Sequence, residues 1–257
     1  MKKVLVGAAV ALALMTTSAG ADGIDKRSYI AAPPPPVYAP PWSGAYIGIQ
    51  VGGAWTHDVN VHDLDSYNGP FGDFNVGGDS GFLGGFQVGY NKQFNKWVLG
   101  IEGEYGHLDL KQRDQFPDFV GVRLPTDSLA TIEHHWFATI TGRVGYAFDK
   151  VLVYGMGGWG WVSTDVSFID SDPTGLTLVD GTERNRILNG GVWGGGVEFL
   201  LSPTVSLKVE YLRFEINDTV RVTALDNLGV IRRFDHDIDA IDTVKVGLNV
   251  KLTPWGW

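Results

Sequence analysis

The sequence contains no cysteine among its 257 residues. A disulfide framework, a Cys-ligated zinc site, a thiolate nucleophile and a lipidated cysteine are therefore excluded. Charged residues make up only 19% of the chain, and the formal net charge is −9. The chain lacks the basic face that nucleic-acid-binding proteins present. We therefore expect no nucleic-acid partner.

Long apolar runs are also absent. No stretch after the N-terminus reaches the roughly 18 apolar residues of a transmembrane helix. The N-terminus has Lys2 and Lys3, an apolar run from Val4 to Met15, and small residues up to Ala21. This order is typical of a secretory signal peptide, with cleavage expected after Ala21. An N-terminal anchor helix is the alternative, but the run is short for that role.

What the sequence does have is glycine, aromatic residues and a two-residue period. It contains 35 Gly, and 12% of its residues are aromatic. In residues 244–252, Val and Leu alternate with Lys, Gly and Asn, and residues 97–105 and 136–148 alternate similarly. A period of two predicts β-strands whose side chains point alternately to two faces. A soluble periplasmic sandwich and a membrane barrel both produce this pattern, so further features must separate them.

The lengths of the connections favour the barrel. Four long segments, at 58–79, 111–130, 166–183 and 222–235, alternate with three tight turns, Asn95-Lys96, Asp149-Lys150 and Ser202-Pro203. Long extracellular loops alternating with short periplasmic turns are typical of outer-membrane barrels. We predict an all-β, eight-stranded antiparallel up-and-down transmembrane β-barrel. Its predicted strands are 42–57, 80–94, 97–110, 131–148, 151–165, 184–201, 204–221 and 236–252.

Aromatic residues fall at both ends of these strands. Membrane barrels carry two aromatic girdles at the two lipid–water interfaces, whereas a soluble core would concentrate aromatics in mid-strand. The girdle at the tight turns is predicted to contain Phe94, Trp97, Phe148 and Phe199. The girdle at the long loops is predicted to contain Trp55, Phe82, Tyr105, Trp136 and Trp161.

The sequence predicts four segments. Residues 1–21 are the signal peptide, and residues 22–41 form a Pro-rich periplasmic lead, since such a segment favours an extended polyproline conformation. Residues 42–252 form the barrel. Residues 253–257 are an aromatic C-terminal tail, because Pro254 interrupts the last strand.

The charged residues on the inner faces of the strands are predicted to fill the barrel interior. An eight-stranded barrel is just wide enough for side chains to fill, and buried charges must be paired. We predict a plugged core of ion pairs, with a narrow charged channel as the alternative. The predicted inward residues are Gln87, Glu102, Glu104, Arg143, Glu198, Lys208, Glu210 and Lys245.

Several motifs resemble catalytic or binding sites without meeting their requirements. Gly155 to Gly160 spells a dinucleotide fingerprint, but strand alternation continues where that motif needs a helix. Glu133-His134-His135 places neighbouring side chains on opposite strand faces. His107 or His135 with a rim serine could form a lipid-modifying pair. We predict no catalytic residue, no metal ligand and no cofactor site. The six histidines, expected near strand tops or in loops, are His57, His62, His107, His134, His135 and His236.

The first long segment is rich in aspartate and has no Lys or Arg. Carboxylate oxygens suit hard cations such as Ca²⁺, although the spacing of an EF-hand is absent. Weak cation bridging to lipopolysaccharide is a second possibility, and a solvated loop surface is the simplest interpretation. The residues concerned are Asp58, Asp63, Asp65, Asp73 and Asp79.

Six short motifs carry a resemblance to a known family: 42–48 (WSGAYIG), 84–91 (GGFQVGYN), 97–102 (WVLGIE), 141–146 (TGRVGY), 195–198 (GGVE) and 208–211 (KVEY). Their order resembles the small outer-membrane barrels of alphaproteobacteria, the Brucella and rhizobial major outer-membrane immunogenic proteins, and more distantly the OmpA-type barrel. The resemblance covers about residues 42–252. It implies an outer-membrane location and a surface-antigen or envelope-integrity role, with no catalytic residues. The C-terminal Trp257 departs from the Phe that commonly ends such chains.

Together these observations predict a non-enzymatic outer-membrane barrel that supports envelope integrity and presents surface loops. The expected partners are outer-membrane lipid, lipopolysaccharide and the barrel-assembly machinery. A small-solute porin and a lipid-modifying enzyme are the alternatives. The sequence does not indicate an oligomeric state.

Overall fold

A computed structural model describes residues 41–67, 73–115, 129–171 and 177–252. The predicted signal peptide, nearly all of the Pro-rich lead, and the C-terminal tail lie outside these ranges. Within them the chain is almost entirely β-strand. The strands are β1 Gly44–Thr56, β2 Val59–Asp63, β3 Phe74–Val76, β4 Ser80–Phe94, β5 Trp97–Gln115, β6 Leu129–Phe148, β7 Val151–Ser171, β8 Thr177–Leu200, β9 Val205–Asp226 and β10 Ile231–Lys251.

Eight of these strands close into a ring. Each of β4 to β10 pairs antiparallel with its neighbour in the chain, and β1 pairs with both β4 and β10. Ile49 lies opposite Phe86 on one side and opposite Leu248 on the other. The predicted eight-stranded up-and-down barrel is therefore confirmed.

Two short strands were not predicted. β2 and β3 form a hairpin inside the first long segment, and β2 extends the sheet along the upper part of β10, where Val61 lies opposite His236. We call this pair the outer hairpin. Its strands are three to five residues long, too short for an alternating pattern to be recognised in the sequence.

The three tight turns lie where they were predicted. Asn95 and Asp149 adopt left-handed backbone conformations, with φ of 54° and 51°. Asn and Asp tolerate this conformation better than most residues and are favoured in two-residue hairpin turns. The third turn is longer, and Ser202 N–H donates to the Val205 carbonyl at 3.0 Å. We call this side of the barrel the turn end and the opposite side the projecting end.

The strands continue into segments that were predicted as loops. Strand β7 reaches Ser171, and β8 begins at Thr177, so residues 166–183 are mostly strand. Strands β9 and β10 are joined by the short turn 227–230, in which Gly229 has a φ of 80°. Strands β5 to β10 are 19 to 24 residues long, about twice the 9–11 that cross a bilayer. No helix among the described residues is long and apolar enough to cross a membrane.

Candidate functional site

The wall near the turn end exposes apolar side chains on its outer surface. On β10, Val244, Val246, Leu248 and Val250 point outward and are 42–46% exposed, while the intervening residues are buried. The other barrel strands contribute similar exposed residues, such as Ile101. A continuous apolar band of this size on a protein surface indicates contact with lipid.

The polarity of the wall inverts along the long strands β5 to β10. On β9, the outward residues change from Val209 and Tyr211 to Arg213 and Glu215, while the inward residues change from Lys208 to apolar Leu212 and Phe214. Near the turn end the outer face is apolar and the interior polar, as lipid requires. Near the projecting end the outer face is polar and the interior apolar, as water requires.

Aromatic side chains border the apolar band. All nine predicted girdle residues lie on the outer face, and Trp97 is 56% exposed. At the projecting-end border, Tyr105 stacks on Trp136 with ring centroids 5.9 Å apart. The sequence analysis missed Trp193 and Tyr211, whose rings meet at 6.2 Å. Both occupy outward positions in the two-residue period of β8 and β9, and this period could have identified them.

All seven predicted inward charged residues are buried and ion-paired. The Lys208 ammonium lies 2.9 Å from Glu102 Oε1 and 3.3 Å from Glu210 Oε2. The Lys245 ammonium lies 2.6 Å from Glu104 Oε2 and 2.9 Å from Glu210 Oε1. Arg143 Nη1 lies 3.4 Å from Glu198 Oε2 and 3.7 Å from Glu102 Oε2. Four carboxylates and three cations therefore form one network, which supports the predicted plugged core.

Two tyrosines complete this network and were not predicted. The Arg143 guanidinium lies between the rings of Tyr46 and Tyr154, at 4.9 and 5.2 Å from their centroids. The Tyr46 hydroxyl donates to Glu102 at 2.6 Å, and the Tyr154 hydroxyl donates to Glu210 at 2.7 Å. Both tyrosines occupy inward positions in the period of their strands, which is the signal that could have identified them.

The interior is closed at two levels. Toward the projecting end, Leu83, Leu108, Phe137 and Phe214 pack directly above Lys245, and no cavity the size of a water molecule remains between them. At the turn end, buried Trp42 borders a cavity of about 30 Å³, which has room for about one or two waters. Between these ends, the ion-pair network and the apolar layer above it fill the described interior.

The carboxylates of Glu102, Glu104 and Glu210 lie close enough together to share a metal ion. However, Lys208 lies within 3.4 Å of all three, and Lys245 contacts two of them. Two ammonium groups already neutralise the cluster, so its donor set does not fit a cation.

The histidines divide between the interior and the outer surface. His134 and His135 point to opposite faces, as predicted, and His135 Nε2 lies 3.3 Å from Asp165 Oδ2. His134 and His236 lie near the projecting ends of β6 and β10, as predicted, but their side chains are buried inside that part of the barrel. Burial lowers the pKa of each to about 4.

No accessible nucleophile–base pair exists among the described residues. The single hydroxyl that contacts a histidine there is Thr164 Oγ1, 2.9 Å from His134 Nδ1, and both residues are at most 2% exposed. His107 has no serine partner within these ranges, and His135 contacts a carboxylate. Strand β7 also runs through Gly155 to Gly160 without giving way to a helix.

The aspartates of the first long segment stabilise the outer hairpin. Asp58 accepts a hydrogen bond from Gly78 N–H at 2.9 Å, and Asp73 contacts His62 at 3.2 Å. Asp65 pairs with Arg233 of β10 at 2.6 Å, which lowers the pKa of its carboxyl. The first long segment contains no Lys or Arg, so the sequence did not reveal this ion pair. The partner, Arg233, lies far along the chain. Cation binding by these residues remains a prediction.

Comparisons with known proteins agree with this geometry. A family model described as outer membrane protein beta-barrel domain matches residues 7–251. The 31 kDa outer-membrane immunogenic protein of Brucella melitensis is 29% identical over 263 residues, which cover 98% of this chain and 100% of that protein. The 22 kDa outer membrane protein of Rhizobium leguminosarum is 25% identical, over 82% of this chain and 80% of that protein.

A solved structure shows the same fold. The outer membrane protease OmpT from Escherichia coli superimposes with a TM-score of 0.51 at 10% sequence identity, covering 81% of this chain and 97% of that chain. At this identity the likeness concerns the fold and carries no information about activity.

Proposed function

Because this chain belongs to the outer membrane protein beta-barrel domain family, we propose that it is a non-enzymatic outer-membrane protein that supports envelope integrity and presents surface loops. The inversion of wall polarity carries this proposal. The lower part of the wall is built for lipid, and the upper part is built as a water-exposed barrel with its own apolar core. Such a chain anchors a rigid, polar projection above the membrane.

The closed interior supports a structural role. A porin needs a continuous aqueous lumen, whereas two levels of packed side chains fill this barrel. A lipid-modifying enzyme needs an accessible nucleophile next to a base, and the His134–Thr164 contact is buried. The Brucella relative is named an immunogenic protein, which supports surface presentation by this chain.

The proposal also includes export and assembly. We propose that residues 1–21 direct secretion and that residues 22–41 lie in the periplasm. The barrel-assembly machinery inserts the chain, and lipopolysaccharide of the outer leaflet surrounds the upper aromatic girdle. These partners follow from the location and from the apolar band.

A deletion strain tests the integrity role. We expect deletion to increase uptake of a hydrophobic fluorescent dye and sensitivity to bile detergents, and we expect the full-length chain to restore both. Unchanged dye uptake and detergent resistance in the deletion strain would contradict the role. If a second protein of the same cell has an overlapping function, the test is repeated in a strain that lacks both proteins.

Single cysteines test the surface presentation, since the chain has none of its own. Leu228 lies in the turn between β9 and β10 and is 82% exposed. In intact cells, a membrane-impermeant maleimide should label Leu228→Cys. It should label the matched turn-end variant Lys150→Cys only after lysis. Equal labelling of both variants in intact cells would contradict the orientation.

A further inference from the structure

One charged side chain lies on the lipid-facing wall. Lys92 points outward from β4 and is exposed, with Leu99 opposite it on β5. Phe94 and Trp97, the next outward pair toward the turn, belong to the turn-end girdle. Lys92 therefore lies on the membrane side of that girdle. Among the described residues it is the one charged side chain on the outer face between the two girdles.

A charge at this position needs a partner near the interface. Lys or Arg on the lipid-facing side of a barrel strand is destabilising, although less so close to the headgroups than at the midplane. Lys92 is two residues from Phe94, which is about 5 Å at 3.3 Å per residue and a strand tilt of roughly 40°. A lysine this close to the interface extends its stem along the wall and brings its ammonium to the headgroup layer.

The protein supplies no carboxylate to this lysine. Among the described residues, neither Lys92 nor Lys96 of the adjoining turn has an ion pair or a side-chain hydrogen bond. The upper border of the apolar band is different, because Arg213 lies 2.6 Å from Glu215 there. The two lysines of the first hairpin are therefore left to an anion from outside the chain.

Lys96 adds the second positive charge beside a group of aromatic rings. Its ammonium lies 5.9 Å from the centroid of the Tyr146 ring, and that ring meets Trp97 edge-on at 5.4 Å. Aromatic rings of this kind mark the lipid–water interface, where lipid phosphates lie. The Tyr146 hydroxyl has no hydrogen-bond partner within the described ranges, so it can donate to a phosphate oxygen.

A cavity opens between the first two tight turns. The turns are neighbours, since the Ala147 N–H donates to the Lys96 carbonyl at 2.7 Å. The cavity has a volume of about 350 Å³, and Lys96 and Phe148 both line it. Pockets for small ligands typically measure about 300–1,000 Å³. A lipid headgroup can therefore enter beside Lys96.

We propose that Lys92 and Lys96 bind the phosphate of an anionic phospholipid in the leaflet around the turn end. The Tyr146 hydroxyl donates to the same phosphate, the headgroup occupies the cavity between the turns, and the acyl chains lie against the apolar band. The site is continuous with that band, and only a phosphate carried by a lipid is held at the depth of Lys92. This inference rests on the proposed function, because it assigns a site to outer-membrane lipid and places it in the periplasmic leaflet.

Neutral variants test the site. Phosphatidylglycerol is titrated into the purified protein in zwitterionic detergent, and bound lipid is counted by native mass spectrometry. Losing two lysines near an anionic headgroup should weaken binding at least about tenfold in Lys92→Gln/Lys96→Gln. The control Lys111→Gln/Lys150→Gln removes the same charge outside the site and should bind within twofold of wild type. Wild-type binding by the first variant, or an equal loss in the control, would overturn the proposal.

Two other compounds identify what the site recognises. Phosphatidylcholine should bind at least about tenfold more weakly than phosphatidylglycerol, because its own ammonium offsets the phosphate charge. Glycerol phosphate at the same concentration should not displace phosphatidylglycerol, because it has no acyl chains to lie on the apolar band. Equal binding of phosphatidylcholine would overturn the charge assignment, and displacement by glycerol phosphate would overturn the assignment to a lipid.

A conservative variant separates binding from folding. Lys92→Arg/Lys96→Arg keeps both charges and should bind within about threefold of wild type, and migration in unboiled gels reports whether each variant is folded. If Lys92→Gln/Lys96→Gln does not fold, Lys96→Gln alone should still weaken binding about fivefold. Unchanged binding by a folded neutral variant, together with a leaky deletion strain, would refute the site and leave the proposed function intact.

Discussion

Replacing Lys208 by methionine tests whether the buried network stabilises the barrel. The Lys208 ammonium is fully buried and lies 2.9, 3.3 and 3.4 Å from carboxylate oxygens of Glu102, Glu210 and Glu104. The variant Lys208→Met leaves the network with four carboxylates and two cations. Removing one partner of a buried pair costs about 3–5 kcal/mol, since the remaining charges stay buried without compensation.

The assay is urea unfolding in phospholipid vesicles, followed by the fluorescence of the nine tryptophans. With a urea dependence of about 2 kcal/mol per molar, the midpoint should fall by roughly 2 M. The control Lys150→Met lies in a tight turn, and its unfolding free energy should change by less than about 0.5 kcal/mol.

A second variant tests whether the unbalanced charge causes the loss of stability. Lys208→Met/Glu102→Gln restores the network's original charge of −1, and the new amide oxygen can still accept from the Tyr46 hydroxyl. It should recover at least half of the lost stability. A midpoint loss below about 0.5 M in the single variant would refute the argument. So would a double variant as unstable as the single one.

Three other predictions follow from the closed interior, the buried histidines and the strand glycines. Planar bilayers with purified protein should show no large, steady conductance; stable open-state currents would contradict the two closed levels. Because the pKa of His134 and of His236 is lowered to about 4, the unfolded chain takes up protons first as the pH falls. Each histidine should therefore cost about 2.5 kcal/mol of unfolding free energy between pH 7 and pH 4.5. His236→Leu should lose less unfolding free energy than wild type over that range, and an equal loss would contradict the burial of His236. A Cβ at Gly190 would overlap the backbone oxygen of Glu215, whereas one at Gly191 meets nothing within 4 Å. Gly190→Ala should lower the urea midpoint and Gly191→Ala should not; equal effects would contradict the close approach of β8 to β9 at Gly190.

Local patterns were enough to predict much of this barrel. Alternation fixes which residues share a face, and all eight residues that it predicted to point inward are buried, including Glu104 and Lys245. Asn95 and Asp149 marked their turns because their side chains tolerate the left-handed backbone. These features depend on neighbouring residues alone, so the sequence was sufficient.

The length of the strands was harder to predict for a physical reason. Beyond the upper girdle, the outward face changes from apolar to polar, as at Arg213, while the period of two continues. Beyond Tyr211 an apolar outer face no longer marks the strand, and the predicted strand 204–221 ends short of Asp226, where β9 ends. Alternation reports the two faces, but it does not say whether lipid or water lies outside.

By itself, the sequence determined the fold class, the turns and the polar interior of the lipid-spanning part, because side-chain alternation and turn chemistry are local properties. The tertiary structure alone decided which distant groups meet. Tyr46 and Glu102 are 56 positions apart, and Asp65 and Arg233 are 168 apart. It also decided that the outer hairpin extends the sheet along the upper part of β10. Such features depend on how the closed sheet brings strands together in space, and no pattern within one strand carries that information.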